Sequence, residues 1–162
     1  MLIRAADAER DAASCAAIYA PFVTDNWVSF ETETPDAAEM ARRIARYGAS
    51  HAWLAAEVGG RIAGYADASP HRNRPAYASA CDVAVYVDRS FARRGVGREL
   101  YAALLPMMRA NGRHAAFAGI ALPNPGSVGL HEAMGFTAIG IYREVGWKLG
   151  NWRDVGWWQR LL

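Results

Sequence analysis

The chain holds two cysteines in 162 residues, Cys15 and Cys81, far apart and without metal-ligand spacing. That argues against a disulfide scaffold or a zinc module, and the thiols read as buried or free groups in a reducing compartment. Long apolar runs are also missing. No window approaches a membrane span, and the opening Met1-Leu2-Ile3-Arg4-Ala5-Ala6-Asp7 lacks the apolar core of a signal peptide. There is no repeat and no low-complexity linker. Charge of one sign is scarce as well: the formal net charge of +2 does not argue for a nucleic-acid partner. These absences lead to the expectation of a cytoplasmic, soluble protein with no membrane or nucleic-acid partner. What is present is 52% hydrophobic and 21% charged, the balance of a globular chain. The length suits one domain over residues 1–162, with enough chain for a real core.

Patterning predicts the elements in order. Leu2 to Arg4 suits a short strand, and the alanine-rich Asp7 to Val23 a helix with Ile18 and Phe22 four apart. A loop with Trp27, Ser29, Phe30 and Glu31 leads to a second helix. Thr34 suits its N-cap, Pro35 its first position, Asp36 and Glu39 its first turn, and Gly48 its end. Ala52–Glu57 and Arg61–Ala68 flank Gly59-Gly60 as a hairpin, followed by the basic loop Pro70-His71-Arg72-Asn73-Arg74-Pro75. A central strand Asp82–Val87 precedes a helix from Val96 with Val96, Leu100, Leu104 and Met107 on one face. Pro106 is expected to kink or shorten that helix, and Gly112 to close it. A strand His114–Ala121, a short helix Gly126–Met134 stopped at Gly135, and two strands around Gly150-Asn151 complete the chain. This order predicts an α/β layered domain, a mixed sheet of about seven strands with four helices.

The chemistry concentrates where the central strand turns into the helix, through Arg93-Arg94-Gly95-Val96-Gly97-Arg98. The first N–H groups of a helix have no intrahelical partner and, with the helix dipole, favour an anion. Gly95 and Gly97 carry no Cβ, which would let a ligand approach the backbone. The residues read as a phosphate cradle, with an ordinary basic turn as the plain alternative. The Walker pattern G-x-x-x-x-G-K-S/T is absent, and the dinucleotide pattern would need glycine where Leu100 stands.

The stretch resembles the GNAT superfamily of N-acetyltransferases, whose pattern is Gln/Arg-x-x-Gly-x-Gly/Ala after a strand. Gly95 and Gly97 match it; Ala92 departs at the first position, which removes a polar side chain and leaves the amides untouched. A second motif, Asn124-Pro125-Gly126-Ser127 followed by His131 and Gly135-Phe136, resembles the family's Asn-x-x-Ser, aromatic or His, Gly-Phe. Ser29-Phe30-Glu31, Arg74-Pro75-Ala76-Tyr77, Val85-Tyr86-Val87, His131-Glu132 and the tail Gly150 to Gln159 are similar to the phosphinothricin acetyltransferase group. That likeness covers almost the whole chain. It implies the GNAT fold, acetyl-CoA as co-substrate with no metal, a homodimer, and acetylation of the α-amino group of small amino-acid analogues such as phosphinothricin and methionine sulfoximine or sulfone.

The resemblance also implies site residues. The turn from Arg93, Arg94, Gly95, Val96 and Gly97 to Arg98 would hold the pyrophosphate, Val85, Tyr86 and Val87 the pantetheine amides by strand addition, and Asn124 with Ser127 the pantetheine arm. The reaction needs a base for a largely protonated amine, a donor to the oxyanion, and a proton for the leaving thiolate. Asp82 and Glu31 are candidate bases; Asp82 stands where relatives carry Glu, so a bridging water suits its shorter reach. Their plain alternatives are a strand-end acid paired with arginine and a solvated loop acid. A backbone N–H of Val85 to Val87 suits the oxyanion, and Tyr86 suits packing. His131 is either the acid that protonates the thiolate or a helix histidine bonded to its neighbours. Arg74, with Arg72 beside it, would clamp a substrate carboxylate with two hydrogen bonds, Phe30 and Tyr77 would wall its side chain, and Glu31 would face its amine. The tryptophans Trp147, Trp152, Trp157 and Trp158 suit core and dimer contacts.

Two other functions compete. A non-catalytic acyl-CoA-binding module would dispense with Asp82, Glu31 and His131. The other is an acetyltransferase for protein N-termini, polyamines or aminoglycosides; a peptide substrate would need an open groove, whereas the basic and aromatic loops suggest a small enclosed site. The glycine turn supplies a direct test. Gly95→Asp or Gly97→Asp brings a side chain and a negative charge into the cradle and is expected to raise the acetyl-CoA KM strongly. A folded variant with unchanged KM would remove the cradle.

Overall fold

The computed structural model describes residues 1–162. Eleven elements follow the expected order: β1 Leu2–Ala5, α1 Ala12–Thr24, α2 Ala37–Ser50, β2 Ala52–Val58, β3 Arg61–Pro70, β4 Ala80–Val87, α3 Val96–Ala110, β5 Ala115–Ala121, α4 Pro125–Ala133, β6 Thr137–Lys148 and β7 Asn151–Leu161. The strands form one seven-stranded sheet in the order β1-β2-β3-β4-β5-β7-β6. Neighbours are antiparallel except β4 and β5. A parallel pair needs a crossover, and α3 is that crossover. Gly59 and Gly60 make the two-residue β2–β3 turn with φ of 58° and 78°, the left-handed pair such a turn requires.

Alternation on β4 separates two cores. Cys81, Val83, Val85 and Val87 face α3, within or against a buried cluster that includes Val96, Leu100, Tyr101, Leu104, Leu105 and Met108. Many sheet residues in that cluster are alanines, so α3 can lie close to the strands. On the other face, Tyr86 of β4 packs with Tyr19, Met40, Ile44, Trp53 and Tyr65 under α1 and α2.

Four local expectations change. The core face of α3 runs through Met108 and not Met107, which is exposed, because the stripe follows a spacing of four from Leu104. Pro106 neither ends nor shortens α3, which continues to Ala110. Pro106 and Ala102 both lie on the exposed face, where water can serve the carbonyl that proline leaves without a donor. α2 starts two residues later than expected, with Asp36 as N-cap accepting from the Glu39 N–H, and it passes Gly48 to end at Ser50. α1 begins only at Ala12, because the Asp7 and Asp11 carboxylates bind backbone N–H groups of Glu9, Arg10 and Asp7 in a preceding turn.

One break in the sheet positions everything that follows. β4 and β5 pair at only three positions, Ala80 with Ala115, Cys81 with Ala116 and Asp82 with Phe117. Beyond Asp82 the two strands part, while β4 stays paired with β3 as far as Val87 opposite Gly64. The β5-facing backbone of Val83 to Val87 therefore has no strand partner.

Candidate active site

On the α3 side, the gap opens into a groove of about 470 Å³. Its walls include Val85–Val87, the turn at Ala92, Arg93 and Gly95, the start of α3, and Asn124, Gly126 and Ser127 at the start of α4. Arg93 and Gly95 both have positive φ, 61° and 80°, so the chain bends through the left-handed region twice before α3 begins. Gly95 is the N-cap of α3. Asn124 caps α4, its Oδ1 accepting from the Ser127 N–H at 3.1 Å. Two helix N-termini thus open on one groove, and both favour negative charge. A Cβ on Gly97 would meet Leu130 Cδ2 at 3.0 Å and Val85 Cγ2 at 3.7 Å, so its absence lets α3, α4 and β4 close up. The expected cofactor residues all line this groove except Arg94, whose guanidinium lies 5.6 Å from the Phe91 ring centre. Tyr86 lines it too, but its ring packs edge-on against Tyr19 and Phe22, as the packing role expects.

A smaller cavity of about 60 Å³ continues between the parted strands, from Val83–Tyr86 to Ala118–Ala121, and reaches His131. That ring is buried. Its Nδ1 lies 2.7 Å from the Ser127 carbonyl oxygen, and its Nε2 lies 2.9 Å from the Tyr101 hydroxyl. A carbonyl only accepts, so Nδ1–H donates to it and Nε2 accepts from Tyr101. Burial holds the His131 pKa below its ordinary value. At neutral pH the ring has no free N–H to give, which favours the role of a helix histidine bonded to its neighbours.

The opposite face carries the expected substrate residues. Asp82 is bound not to an arginine but to His71, with Nδ1 2.6 Å from Oδ1. Burial pushes the Asp82 carboxyl up, and the bond to His71 opposes that shift. His71 lies flat on Phe117, with ring centres 4.3 Å apart and planes 20° from parallel. Its ring centre is 6.0 Å from those of both Tyr77 and Trp157. Nearby, Asp67 of β3 pairs opposite Ala84 and has no hydrogen-bond partner; burial pushes its carboxyl to about 7. Arg72 and Arg74 are exposed and free of ion pairs, and Arg72 donates to the His71 carbonyl at 3.2 Å.

Glu31 is partly exposed but not free. Arg43 donates to its two oxygens at 2.6 and 3.1 Å, and the Tyr19 hydroxyl donates at 3.0 Å. Lys148 Nζ donates to its carbonyl oxygen. These bonds pin the loop that carries Phe30. Phe30 in turn lies on Gly146, where any Cβ would sit 2.2 Å from the ring. Sequence reasoning passed over His71 and Arg43. Arg43 follows Glu39 by four residues on α2, a visible helix pair, but its reach to Glu31 depends on tertiary packing. The signal for His71 was its place just after a strand that runs back along Asp82.

The chain is similar to known acetyltransferases in sequence and fold. The family model for an acetyltransferase (GNAT) domain matches residues 3–157. A phosphinothricin N-acetyltransferase of Streptomyces viridochromogenes is 42% identical over 158 residues, 98% of this chain and 86% of that protein. An L-methionine sulfoximine/L-methionine sulfone acetyltransferase of Salmonella typhimurium is 31% identical over 163 residues, covering 100% of this chain and 95% of that one. The crystal structure of a GNAT superfamily phosphinothricin acetyltransferase from Sinorhizobium meliloti, in complex with acetyl-CoA, superposes with a TM-score of 0.94 at 32% identity, covering 99% of this chain and 88% of that chain.

The state of His131 can be checked by stability. Its folded pKa lies below the unfolded value of about 6.5, so the neutral ring stabilises the fold above that pH and the contribution fades as pH falls. The advantage of the wild type over His131→Gln in urea unfolding should therefore shrink between about pH 7.5 and pH 5. A difference that stays constant would mean that the ring titrates alike in both states.

Proposed function

This chain belongs to the GNAT family of acetyltransferases, and from that premise we propose that it acetylates the α-amino group of a small amino-acid analogue of the phosphinothricin or methionine sulfoximine/sulfone type. It is an N-acetyltransferase, and acetyl-CoA is the acetyl donor in the proposed reaction. The observation that carries the reading is the fork after Asp82 and Phe117. An anion-favouring groove leads into it from one face, and a carboxylate bonded to a histidine stands at it on the other. Relatives named for phosphinothricin and methionine sulfoximine support the substrate class.

The residues divide the work. Amides of Arg93 to Arg98 and the α3 N-terminus hold the pyrophosphate, with positive charge from Arg93 and Arg98. The groove fits that group: it offers N–H donors, and Gly95 and Gly97 leave the backbone bare. Val85 to Val87 hold the pantetheine amides along the unpaired strand edge, and one of their N–H groups serves the oxyanion. Asn124 and Ser127 border the arm. Asp82 belongs to the group that takes the amine proton. Glu31, held by Arg43, shapes the loop that presents Phe30. Arg74, with Arg72, binds the carboxylate, and Phe30 and Tyr77 wall the side chain. The 162 residues act as one domain in the cytoplasm; both cysteines are buried, and burial pushes the Cys15 thiol up to about 12 and the Cys81 thiol up to about 11.

The same proposal covers assembly. β6 is an edge strand exposed along nearly its whole length, with Ile139, Ile141, Val145 and Trp147 in contact with solvent and Trp152 beside them on β7. A patch of that kind marks an interface, and a second copy of this chain covers it. Light scattering after gel filtration should give a dimer, and Trp147→Asp with Trp152→Asp should give a folded monomer. A monomeric wild type at micromolar concentration ends this part of the proposal.

The substrate reading is tested by comparing methionine sulfone or phosphinothricin with the matching amine that lacks the carboxylate. Loss of the carboxylate should cost the wild type roughly 1.5–3 kcal/mol in kcat/KM, the range for a charge-assisted hydrogen bond, and should cost Arg74→Ala little. If the decarboxylated amine reacts as well as the amino acid, a polyamine or peptide substrate moves ahead.

A further inference from the structure

We propose that His71 is the catalytic base that receives the proton of the substrate amine, and that Asp82 orients it. The inference rests on the N-acetyltransferase reading and adds a residue to it. The observation is a juxtaposition: β4 and β5 make their last pair at Asp82 and Phe117, and His71 is bonded to the first and stacked on the second. The ring therefore stands at the mouth of the fork, where the chain brings donor and acceptor of the acetyl group together.

Two contacts of different kinds fix that ring. The 2.6 Å bond to Asp82 sets its in-plane rotation, and the stack on Phe117 sets its tilt. Its side chain is only 13% exposed. With ionised Asp82 as acceptor, Nδ1 carries the hydrogen and Nε2 presents a bare lone pair, which makes no hydrogen bond within the protein. A base held in one tautomer by a carboxylate is the arrangement that proton abstraction needs. His71 also moves the basic atom away from β4 by the width of an imidazole ring, which makes up for the short reach of aspartate. A cavity of about 140 Å³ lies against the ring, bounded by Phe117, Ile139, Tyr142 and Trp157. The Trp157 indole N–H is buried and has no hydrogen-bond partner.

The step balances. The ammonium passes one proton to Nε2, and the freed lone pair forms the C–N bond to the thioester carbonyl carbon. The C–S bond then breaks, and sulfur leaves with its electron pair and takes the second N–H proton. The third stays on the amide, and His71 returns its proton to solvent. The titratable and charged groups facing His71 are Asp82 of β4, Tyr77 of the turn after β3, Tyr142 of β6 and the adjoining Arg72, with Asp67 farther along β3. β5 and β7 present the uncharged Phe117 and Trp157.

The test uses His71→Asn, which keeps an N–H for Asp82, and His71→Phe, which keeps the stack on Phe117. The kcat/KM for the amino acid should fall about 10²-fold at pH 7. The loss should shrink as pH rises past the amine's own pKa of about 8, because free amine then needs no base. Asp82→Asn should move activity the same way, and acetyl-CoA affinity measured by calorimetry should stay within about threefold in all three. A loss that is constant across pH, or below about threefold at pH 7, overturns the assignment. A wild type that binds acetyl-CoA but acetylates no amine overturns the functional reading as well, and that result is visible before any variant is made.

Discussion

Everything in the site depends on two parallel strands that cannot stay together. β4 and β5 hold for three pairs and then part, so the β4 backbone from Val83 onward keeps N–H and C=O groups with no neighbour. Buried backbone groups need partners. A sheet that withholds them keeps a place for an extended ligand rich in amides, and pantetheine is such a ligand. The parting is possible because β3 continues to pair with β4 and β7 with β5, so each strand remains anchored on its far side.

Close approach is the second requirement, and glycine supplies it at two kinds of position. Gly95 allows the left-handed turn into α3, and Gly97 lets Leu130 of α4 sit where a Cβ would press. The helix N-termini at Gly95 and Asn124 then face the same groove. Both dipoles favour negative charge there, and no acidic side chain lines the groove to oppose them.

The two histidines near the fork show how surroundings divide one residue type into different roles. His131 has both ring nitrogens committed to Ser127 and Tyr101, and burial favours its neutral form. His71 has one nitrogen committed to a carboxylate and the other without a protein partner. The acids divide in the same way. Glu31 is held by Arg43 and Tyr19, while Asp82 is held by a histidine whose other nitrogen has no protein partner.

The sequence by itself determined the element order, the glycine turn, the Asn124 cap and the α/β class. Those depend on local chemistry: periodicity of apolar residues, backbone freedom at glycine, and side chains that bond amides three residues away. It also misplaced the α2 cap, because Thr34 and Asp36 both suit that position, and it named Met107 for the core one residue short of Met108. Only the tertiary structure decided that Asp82 meets His71, that Arg43 occupies Glu31, and that His131 lies inside. Each of those is a contact between residues on different elements, set by strand register and by which face a helix buries. Spacing along a chain carries no distance across a sheet, so the pairing of charges was decided by the fold.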